Sequence, residues 1–528
     1  MRNISRIKLM SLLIVCAVFT AACNSTDKGN NDPGSRGHFK LIKNVSILDG
    51  SGASAFTGSV RIKDNLIVAV GDVGPADEDI VIDGGGLVLA PGFIDTHSHH
   101  DWDLTESPQM VAAISQGITT IVVGNDGSSQ YSMSELDQML RDRPTTLNVA
   151  SYTGHGTIRS EVMRGDYKRE ASVTEIKEME ELLRQELNNG SLGLSTGLEY
   201  DPGIFSNTDE VISLAKVSAG EGGRYISHMR SEDRNFDSAL EELIRIGREA
   251  DLPVQISHFK LAEVGLWGQA PRVLQRLQEA RQAGIDVTAD IYPYTYWEST
   301  LTVLLPERDF YDLDAARYAL EHLAPADGLT LVTYKPDPAL EGKTVAEVAL
   351  ARGVSNEETY LKLIRDAYEG MSDEEMAAME ESPESVIGVS MSEDDIEVLI
   401  AWPHSNICSD GYGDGHPRGH GAFPRAIRKY VREQKIVTIE EMIRKMTSLS
   451  AAHVGITNRG LIQPGFIADL VLFDPLTVTD RATIEDPKQL SEGISGVWVS
   501  GERVWNDQQM TGARPGVLVG RKLNRDNY

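Results

Sequence analysis

Cysteine is scarce in this chain of 528 residues, which carries only Cys16, Cys23 and Cys408. The first two fall in or beside an apolar N-terminal segment, so Cys408 stands alone in the part that folds. That excludes a disulfide within a mature monomer, and the fold is held by its core, which is ample at this length. Cys408 follows Ile407 in an apolar run and reads as small buried filler rather than a nucleophile. Basic residues are also few, 50 Lys and Arg against 79 Asp and Glu, for a net charge of −29. An acidic surface of this size excludes nucleic acid and anionic membrane surfaces as partners. Beyond the N-terminus no apolar run is long enough for a transmembrane helix. No short internal repeat occurs, and no low-complexity block follows residue 37.

Residues 1–23 read as a leader outside the fold. Arg2, Arg6 and Lys8 precede an apolar stretch, 9–19, which is too short to span a bilayer. Losing those three charges leaves the remainder near −32. Thr20-Ala21-Ala22 before Cys23 resembles a bacterial lipobox, in which the cysteine is lipidated and becomes the new N-terminus. An ordinary secretory signal cleaved nearby is the alternative. The expected address is therefore periplasmic or cell-surface, with the membrane touched only through a lipid anchor on Cys23. Residues 24–38, rich in Asn, Gly, Ser and Asp, read as a flexible tether.

The folded part reads as an α/β chain with two β-rich flanks. Short strand-like runs at 41–48, 59–63, 66–70, 80–82 and 87–90 are separated by turn signals such as Gly84-Gly85-Gly86. The C-terminus returns to that style in Asp469-Leu470-Val471-Leu472-Phe473 and Gly496-Val497-Trp498-Val499. Residues 39–90 and 455–528 are thus expected to build one small β-sandwich. Between them, 91–454 alternates strand-like runs with helical patterns at 173–188, 235–250 and 272–283. The runs end at His99, near Asp126, near His155, near Tyr200, at His228, at His258, near Tyr294 and at Asp410. Eight such units predict a (β/α)8 TIM barrel, whose chemistry sits at the C-terminal ends of its strands. A long acidic insert at about 304–400, including Met371-Ser372-Asp373-Glu374-Glu375, is expected either as a lid or small subdomain over the barrel mouth or as solvated helical decoration.

The most informative motif is Thr96-His97-Ser98-His99, at the end of an apolar strand. Alternate strand residues point to one side, so both imidazoles face a common point, and imidazole is the commonest side-chain ligand for transition metals. Alone, the motif could equally be a turn with scattered histidines. The other expected strands add similar residues at the same end: Asp126 after Thr119-Thr120-Ile121-Val122-Val123-Gly124-Asn125, His228 after Tyr225-Ile226-Ser227, His258 after Val254-Gln255-Ile256-Ser257, and Asp410 after Ile407-Cys408-Ser409. Four histidines and two aspartates at strand ends of one barrel predict a catalytic metal site.

With these residues in view the chain resembles the amidohydrolase superfamily and, within it, the N-acyl-D-amino-acid deacylase (D-aminoacylase) family. The resemblance rests on Pro91-Gly92-Phe93-Ile94-Asp95-Thr96-His97-Ser98-His99, Ser227-His228-Met229-Arg230-Ser231-Glu232, Ile256-Ser257-His258-Phe259-Lys260, Asp290-Ile291-Tyr292-Pro293-Tyr294, Ser409-Asp410-Gly411 and His416-Pro417-Arg418. It continues through Arg459-Gly460-Leu461-Ile462 to Ala468-Asp469-Leu470 and covers nearly the whole mature chain. It implies one or two zinc ions, with His97, His99 and Asp410 at one position and His228 and His258 at the other. The family's remaining ligand is a cysteine in Gly-Asn-Cys-Gly. Here the segment is Gly124-Asn125-Asp126-Gly127, so Asp126 is expected to take over that position as a carboxylate ligand. The carboxylated lysine of dihydroorotases and hydantoinases has no counterpart, because the fourth strand, Leu192 to Tyr200, contains no lysine.

The implied reaction is hydrolysis of an N-acyl-D-amino acid, a small-molecule substrate, to a D-amino acid and a carboxylate. Zinc would polarise the carbonyl and, by lowering the pKa of a bound water to about 7, supply a metal-bound hydroxide as nucleophile. Asp410 would act as general base and then acid, its alternative being a purely structural ligand. By the same resemblance Lys260 and Tyr292 would bind the substrate carboxylate, joined by a serine. Glu298 is the ungapped partner of that serine, and Ser299 fits with a shift of one residue. Arg418 and His416 are further candidate contacts or a loop-stabilising pair. His155 and His100 are expected to stand behind the ligands. Two other readings stay open from sequence: an amidohydrolase of dipeptides or cyclic amides, and a non-catalytic binding lipoprotein.

Overall fold

A computed structural model describes residues 39–372, 382–412 and 415–521. Cys23, the tether 24–38 and most of the acidic run 371–375 lie outside the described residues.

Eight parallel strands form the barrel: Phe93–Asp95, Ile118–Val123, Asn148–Ser151 continued by Thr153–Gly154, Gly193–Gly197, Arg224–His228, Val254–Ile256, Val287–Ile291 and Ser405–Ile407. Each pairs in parallel with its neighbours. The ring closes between the last strand and the first. Ser98 bridges Gly411, the Asp410 amide donates to His97 O at 2.8 Å, and the His99 amide donates to Gly411 O at 3.0 Å. Closure therefore runs through the residues that carry the His-x-His motif.

The outer helices follow from helical periodicity. Phe236–Ala250 buries Phe236, Leu240, Leu243, Ile244 and Gly247 on one face, the spacing of an amphipathic helix against a sheet. Val173–Asn188 starts at Ser172 with a reciprocal capping box to Glu175, which satisfies two otherwise unpaired amide donors. Among the described residues no helix is long and apolar enough to cross a membrane.

Inside the barrel, toward the strand starts, Ile94, Val122, Ala150, Leu192 and Ile226 pack with Ala451, Val454, Ile456 and Val519. Burying each large aliphatic side chain there stabilises the fold by about 1.5–3 kcal/mol. This apolar plug seals one end and leaves the polar groups at the other.

Both flanks enter one nine-stranded sheet. Gln509–Met510, Glu502–Asn506, Ile494–Val499 and Leu470–Phe473 run through Val88–Pro91 to Phe39–Ile47, Phe56–Lys63 and Leu66–Gly71, and the ninth strand, Asp79–Asp83, pairs in parallel with Phe39–Ile47 off this path. The sheet curls until Leu66 bridges Ile467, enclosing its own core of Ile42, Val60, Ile62, Leu89, Leu470 and Trp498. The final described residues depart from the sandwich expected over 455–528. Residues 516–519 leave the sheet and pair with barrel strand three, the Val519 amide donating to Val149 O at 2.7 Å. Gly516 permits this approach, since a Cβ there would lie 1.9 Å from Leu147 O.

The insert between strands seven and eight is more than helical decoration. It holds an antiparallel sheet of Tyr296–Ser299, Glu384–Val389 and Leu329–Tyr334, with Glu384–Val389 in the centre. This subdomain begins at Tyr296, before the expected 304, because its first strand directly follows the seventh barrel strand.

Candidate metal centre

Three tight groups of metal-capable side chains lie at the C-terminal ends of the strands. His97, His99, Asp126 and Asp410 form the first, Asp126, His228 and His258 the second, and Glu199 and Glu232 with the same His228 a third. In the first, His97 Nε2 is 3.3 Å from Asp126 Oδ2 and 3.4 Å from Asp410 Oδ1. His99 Nε2 is 3.4 Å and 3.3 Å from the same two oxygens. Ligands about 2.0–2.1 Å from a tetrahedral ion stand about 3.3–3.4 Å from one another, and these nitrogen–oxygen spacings match that edge. In the second group Asp126 turns its other oxygen, Oδ1, to His258 Nε2 at 3.3 Å, and His258 Nε2 lies 2.9 Å from His228 Nδ1. His97 Nε2 and Asp126 Oδ1 are buried with no hydrogen-bond partner among the described residues. Burying such atoms unpaired is costly. Imidazole nitrogens and carboxylate oxygens at this spacing fit zinc.

The backbone is bent to deliver these groups. Asp126, His258 and Asp410 have positive φ values of 52°, 35° and 49°, a left-handed conformation that costs a non-glycine residue about 1–3 kcal/mol and persists only where its surroundings enforce it. After Asp126, Gly127 (φ 76°) lies so close to strand four that a Cβ would be 2.6 Å from Gly197 N. Asp290, fully buried on strand seven, accepts the His258 amide at 2.6 Å and the Cys408 thiol at 3.3 Å. Asp95 of strand one accepts the Ser409 amide at 2.8 Å, pinning the turn that carries Asp410.

The side chains behind the ligands are acidic. Glu199 Oε2 lies 2.9 Å from His228 Nε2, and Glu232 Oε1 lies 3.1 Å from His258 Nδ1. Carboxylates in this place fix ring orientation and raise ligand basicity. Burial pushes the Glu199 carboxyl well up, with Asp233 and Glu232 adding to it. For Glu232 burial also pushes upward, but the charges of Lys260, His228 and His258 together outweigh it and hold the carboxyl at about 2. Burial lowers His228 to about 4. For Asp410, burial is outweighed first by Arg418 and then by the neighbouring histidines, so the carboxyl lies below the ordinary range and stays ionised.

The predicted substrate residues fall on one side of this centre. Lys260 Nζ is 2.7 Å and 2.9 Å from the two Glu232 oxygens and 2.7 Å from His258 Nδ1. Arg418 Nη1 is 2.6 Å from Asp410 Oδ2. The Tyr292 ring sits 4.8 Å from the Arg418 guanidinium and 5.8 Å from Lys260 Nζ. The Tyr292 hydroxyl and Arg418 Nε are both buried without a hydrogen-bond partner among the described residues. Two unpaired donors beside a lysine suit an anion such as a carboxylate. Ser299 and Glu298 both line the cavity over the metal groups, whose volume is about 1080 Å³.

The remaining histidines lie elsewhere. His155 Nε2 is 2.8 Å from Glu210 Oε1, in a buried cluster with Arg159 rather than among the ligands. His416 Nε2 lies 2.9 Å from Tyr296 O, and its Nδ1 accepts the Arg418 amide at 2.9 Å, which makes it a brace for the Arg418 turn. His100 is buried. Sequence reasoning passed over Glu199, Glu232 and Asp290. Glu232 stands four residues after His228, and Glu199 stands at the end of the fourth strand, so both are visible in the sequence without their partners being so.

Comparison with known proteins places this geometry among relatives. Residues 80–300 and 404–505 match the model of the amidohydrolase family, and the unmatched stretch between them contains the insert beyond its first strand. The chain is 35% identical to D-aminoacylase of Alcaligenes xylosoxydans xylosoxydans, covering 91% of this chain and 97% of that protein. It is also 35% identical to N-acyl-D-aspartate deacylase of the same organism, over 91% and 94% of the two chains. Among solved structures, N-acyl-D-glutamate deacylase from Bordetella bronchiseptica, complexed with zinc and a phosphonate inhibitor that mimics the tetrahedral intermediate of the reaction, superposes with a TM-score of 0.80 at 31% identity, covering 91% of this chain and 99% of that one.

Proposed function

The chain belongs to the amidohydrolase family, and from that premise we propose that it hydrolyses the amide bond of N-acyl-D-amino acids, releasing a D-amino acid and a carboxylate. The observation that carries the reading is the set of spacings of 3.3–3.4 Å joining His97, His99, Asp126 and Asp410, next to the unpaired donors of Tyr292 and Arg418. A metal site and an anion cradle adjoin, as cleavage of an amide beside a free carboxylate requires.

His97, His99, Asp126 and Asp410 would hold one zinc ion, and Asp126, His228 and His258 a second. Zinc bound there supplies a Lewis acid for the scissile carbonyl and lowers the pKa of a water toward about 7. Lys260, Tyr292 and Arg418 hold the α-carboxylate and so fix which face of the amide meets the site. Asp410, ionised and at the centre, takes one proton from the attacking water as the new C–O bond forms. It then gives that proton to the amide nitrogen as the C–N bond breaks, which balances the reaction without another acid. Arg418, paired to Asp410, keeps that carboxylate oriented between the two transfers. Activity that a chelator removes and zinc restores supports this assignment, and activity indifferent to exhaustive chelation contradicts it.

The leader residues support an exported protein anchored through a lipid on Cys23, periplasmic or on the cell surface. Fractionation tests it: Cys23→Ser should move the protein from membrane to soluble fractions, and unchanged membrane association would contradict the anchor.

A further inference from the structure

The relatives include deacylases named for N-acyl-D-aspartate and for N-acyl-D-glutamate beside a D-aminoacylase, so kinship does not choose among side chains. The charge on the cavity wall does. We propose, resting on the deacylase reading above, that this site takes N-acyl-D-amino acids with neutral or cationic side chains and rejects a second carboxylate, with Glu298 as a specificity-determining residue.

The cationic groups of the cavity are largely engaged. Lys260 is held by Glu232 and Arg418 by Asp410, and what remains of their capacity faces one α-carboxylate. Lys335, the third, is exposed at the rim. Against these, Glu106, Asp233 and Glu298 line the same cavity, with no lysine or arginine ion pair to any of them among the described residues. A second carboxylate would therefore meet further carboxyl groups on the wall, while Lys260 and Arg418 are already engaged. Building an unmatched acidic group into a pocket is a common means of discriminating against an acidic ligand.

Glu298 is the member of this set whose position is most constrained. It lies on Tyr296–Ser299, the first strand of the insert. Its Oε2 accepts the His416 amide at 2.9 Å, and its Oε1 accepts from the Tyr412 hydroxyl at 3.3 Å and from Ser385 Oγ at 3.4 Å. Gly415 is moulded onto it, since a Cβ there would lie 2.3 Å from Glu298 Oε1. Three segments thus hold one carboxylate at the wall near Arg418, so it cannot swing aside for an anionic side chain.

N-acetyl-D-glutamine and N-acetyl-D-glutamate have nearly the same shape and differ by one charge, which makes them the test pair for the zinc-loaded protein. The expected result is a kcat/KM for the glutamine substrate at least about tenfold above that for glutamate, with N-acetyl-D-lysine also hydrolysed. Glu298→Gln should narrow the ratio by raising the glutamate value. Inhibition of the unaltered enzyme by free D-glutamine and D-glutamate should follow the same order, so the inference does not depend on the variant folding. A glutamate value equal to or above the glutamine value overturns the inference. An unchanged ratio in a folded Glu298→Gln protein overturns the role of Glu298. Failure to cleave any N-acyl-D-amino acid overturns the deacylase reading itself and this inference with it.

Discussion

Asp126 joins the two halves of the metal centre: its Oδ2 lies 3.3 Å from His97 Nε2, and its Oδ1 lies 3.3 Å from His258 Nε2. Among the described residues it is the one carboxylate common to the His97–His99 group and the His228–His258 group. It is held there by a left-handed backbone and by Gly127 against strand four.

Replacing Asp126 should accordingly disturb both positions together. Loss of a residue behind a metal ligand costs about 10–100-fold in affinity, and loss of a shared ligand should exceed that. Asp126→Ala is expected to purify with little bound zinc. Metal analysis of the variant checks this, and a full zinc complement would show that the histidines suffice alone. Asp126→Cys should retain metal while favouring softer, thiophilic ions.

Asp410 has its Oδ1 toward His97 and His99 and its Oδ2 on Arg418. An amide in its place keeps the shape and loses the proton carrier. Asp410→Asn is expected to lower kcat by about 10²–10⁴-fold, the usual contribution of a positioned acid–base group. Steady-state kinetics decide, and a near-normal kcat would reduce Asp410 to a structural ligand.

The Tyr292 hydroxyl is buried without a hydrogen-bond partner among the described residues, so it contributes little to the stability of the free protein. A hydrogen bond from it to a charged substrate group is worth about 1.5–3 kcal/mol. Tyr292→Phe should therefore lower kcat/KM by about 10–100-fold while the melting temperature holds or rises. A fall in melting temperature with unchanged kcat/KM would contradict a substrate contact.

Away from the site, Glu210 receives Arg159 Nη1 at 2.6 Å on each oxygen and His155 Nε2 at 2.8 Å. Burial pushes its carboxyl up, but the His155 and Arg159 contacts outweigh this and hold it below its ordinary value. The unfolded chain then binds the proton more readily, so this stabilisation is complete above about pH 4.5 and is lost as the pH falls below it. Glu210→Gln should cost about 3–5 kcal/mol at neutral pH by leaving a buried arginine unpaired. It should flatten the acid limb of the stability profile and leave kcat unchanged. Denaturant unfolding across pH 3–7 checks both points.

The four ligand histidines and Asp410 were legible because each ends or follows a short apolar strand, and alternation assigns its direction. Asp126 was legible only as a residue after a strand. That both its oxygens are used depends on the left-handed turn, which no periodicity reveals. Glu199 and Glu232 were invisible as partners because their histidines lie on other strands or across a turn. The barrel showed through its repeated strand–helix rhythm. The sheet inside the insert did not, since Tyr296–Ser299 and Leu329–Tyr334 are short, half-exposed strands whose pairing is long-range. The return of residues 516–519 to the barrel was hidden for the same reason.

The most direct measurement of the central claim compares the two enantiomers of one substrate on the zinc-loaded enzyme, with a chelated control. With the α-carboxylate on Lys260, Tyr292 and Arg418 and the scissile carbonyl against His97, His99, Asp126 and Asp410, as proposed above, only one configuration presents its amide to Asp410. N-acetyl-D-glutamine should be hydrolysed with a kcat/KM at least about a hundredfold above that of its L enantiomer, and chelation should abolish the reaction. Equal turnover of both enantiomers, or activity confined to dipeptides or cyclic amides, would contradict the account.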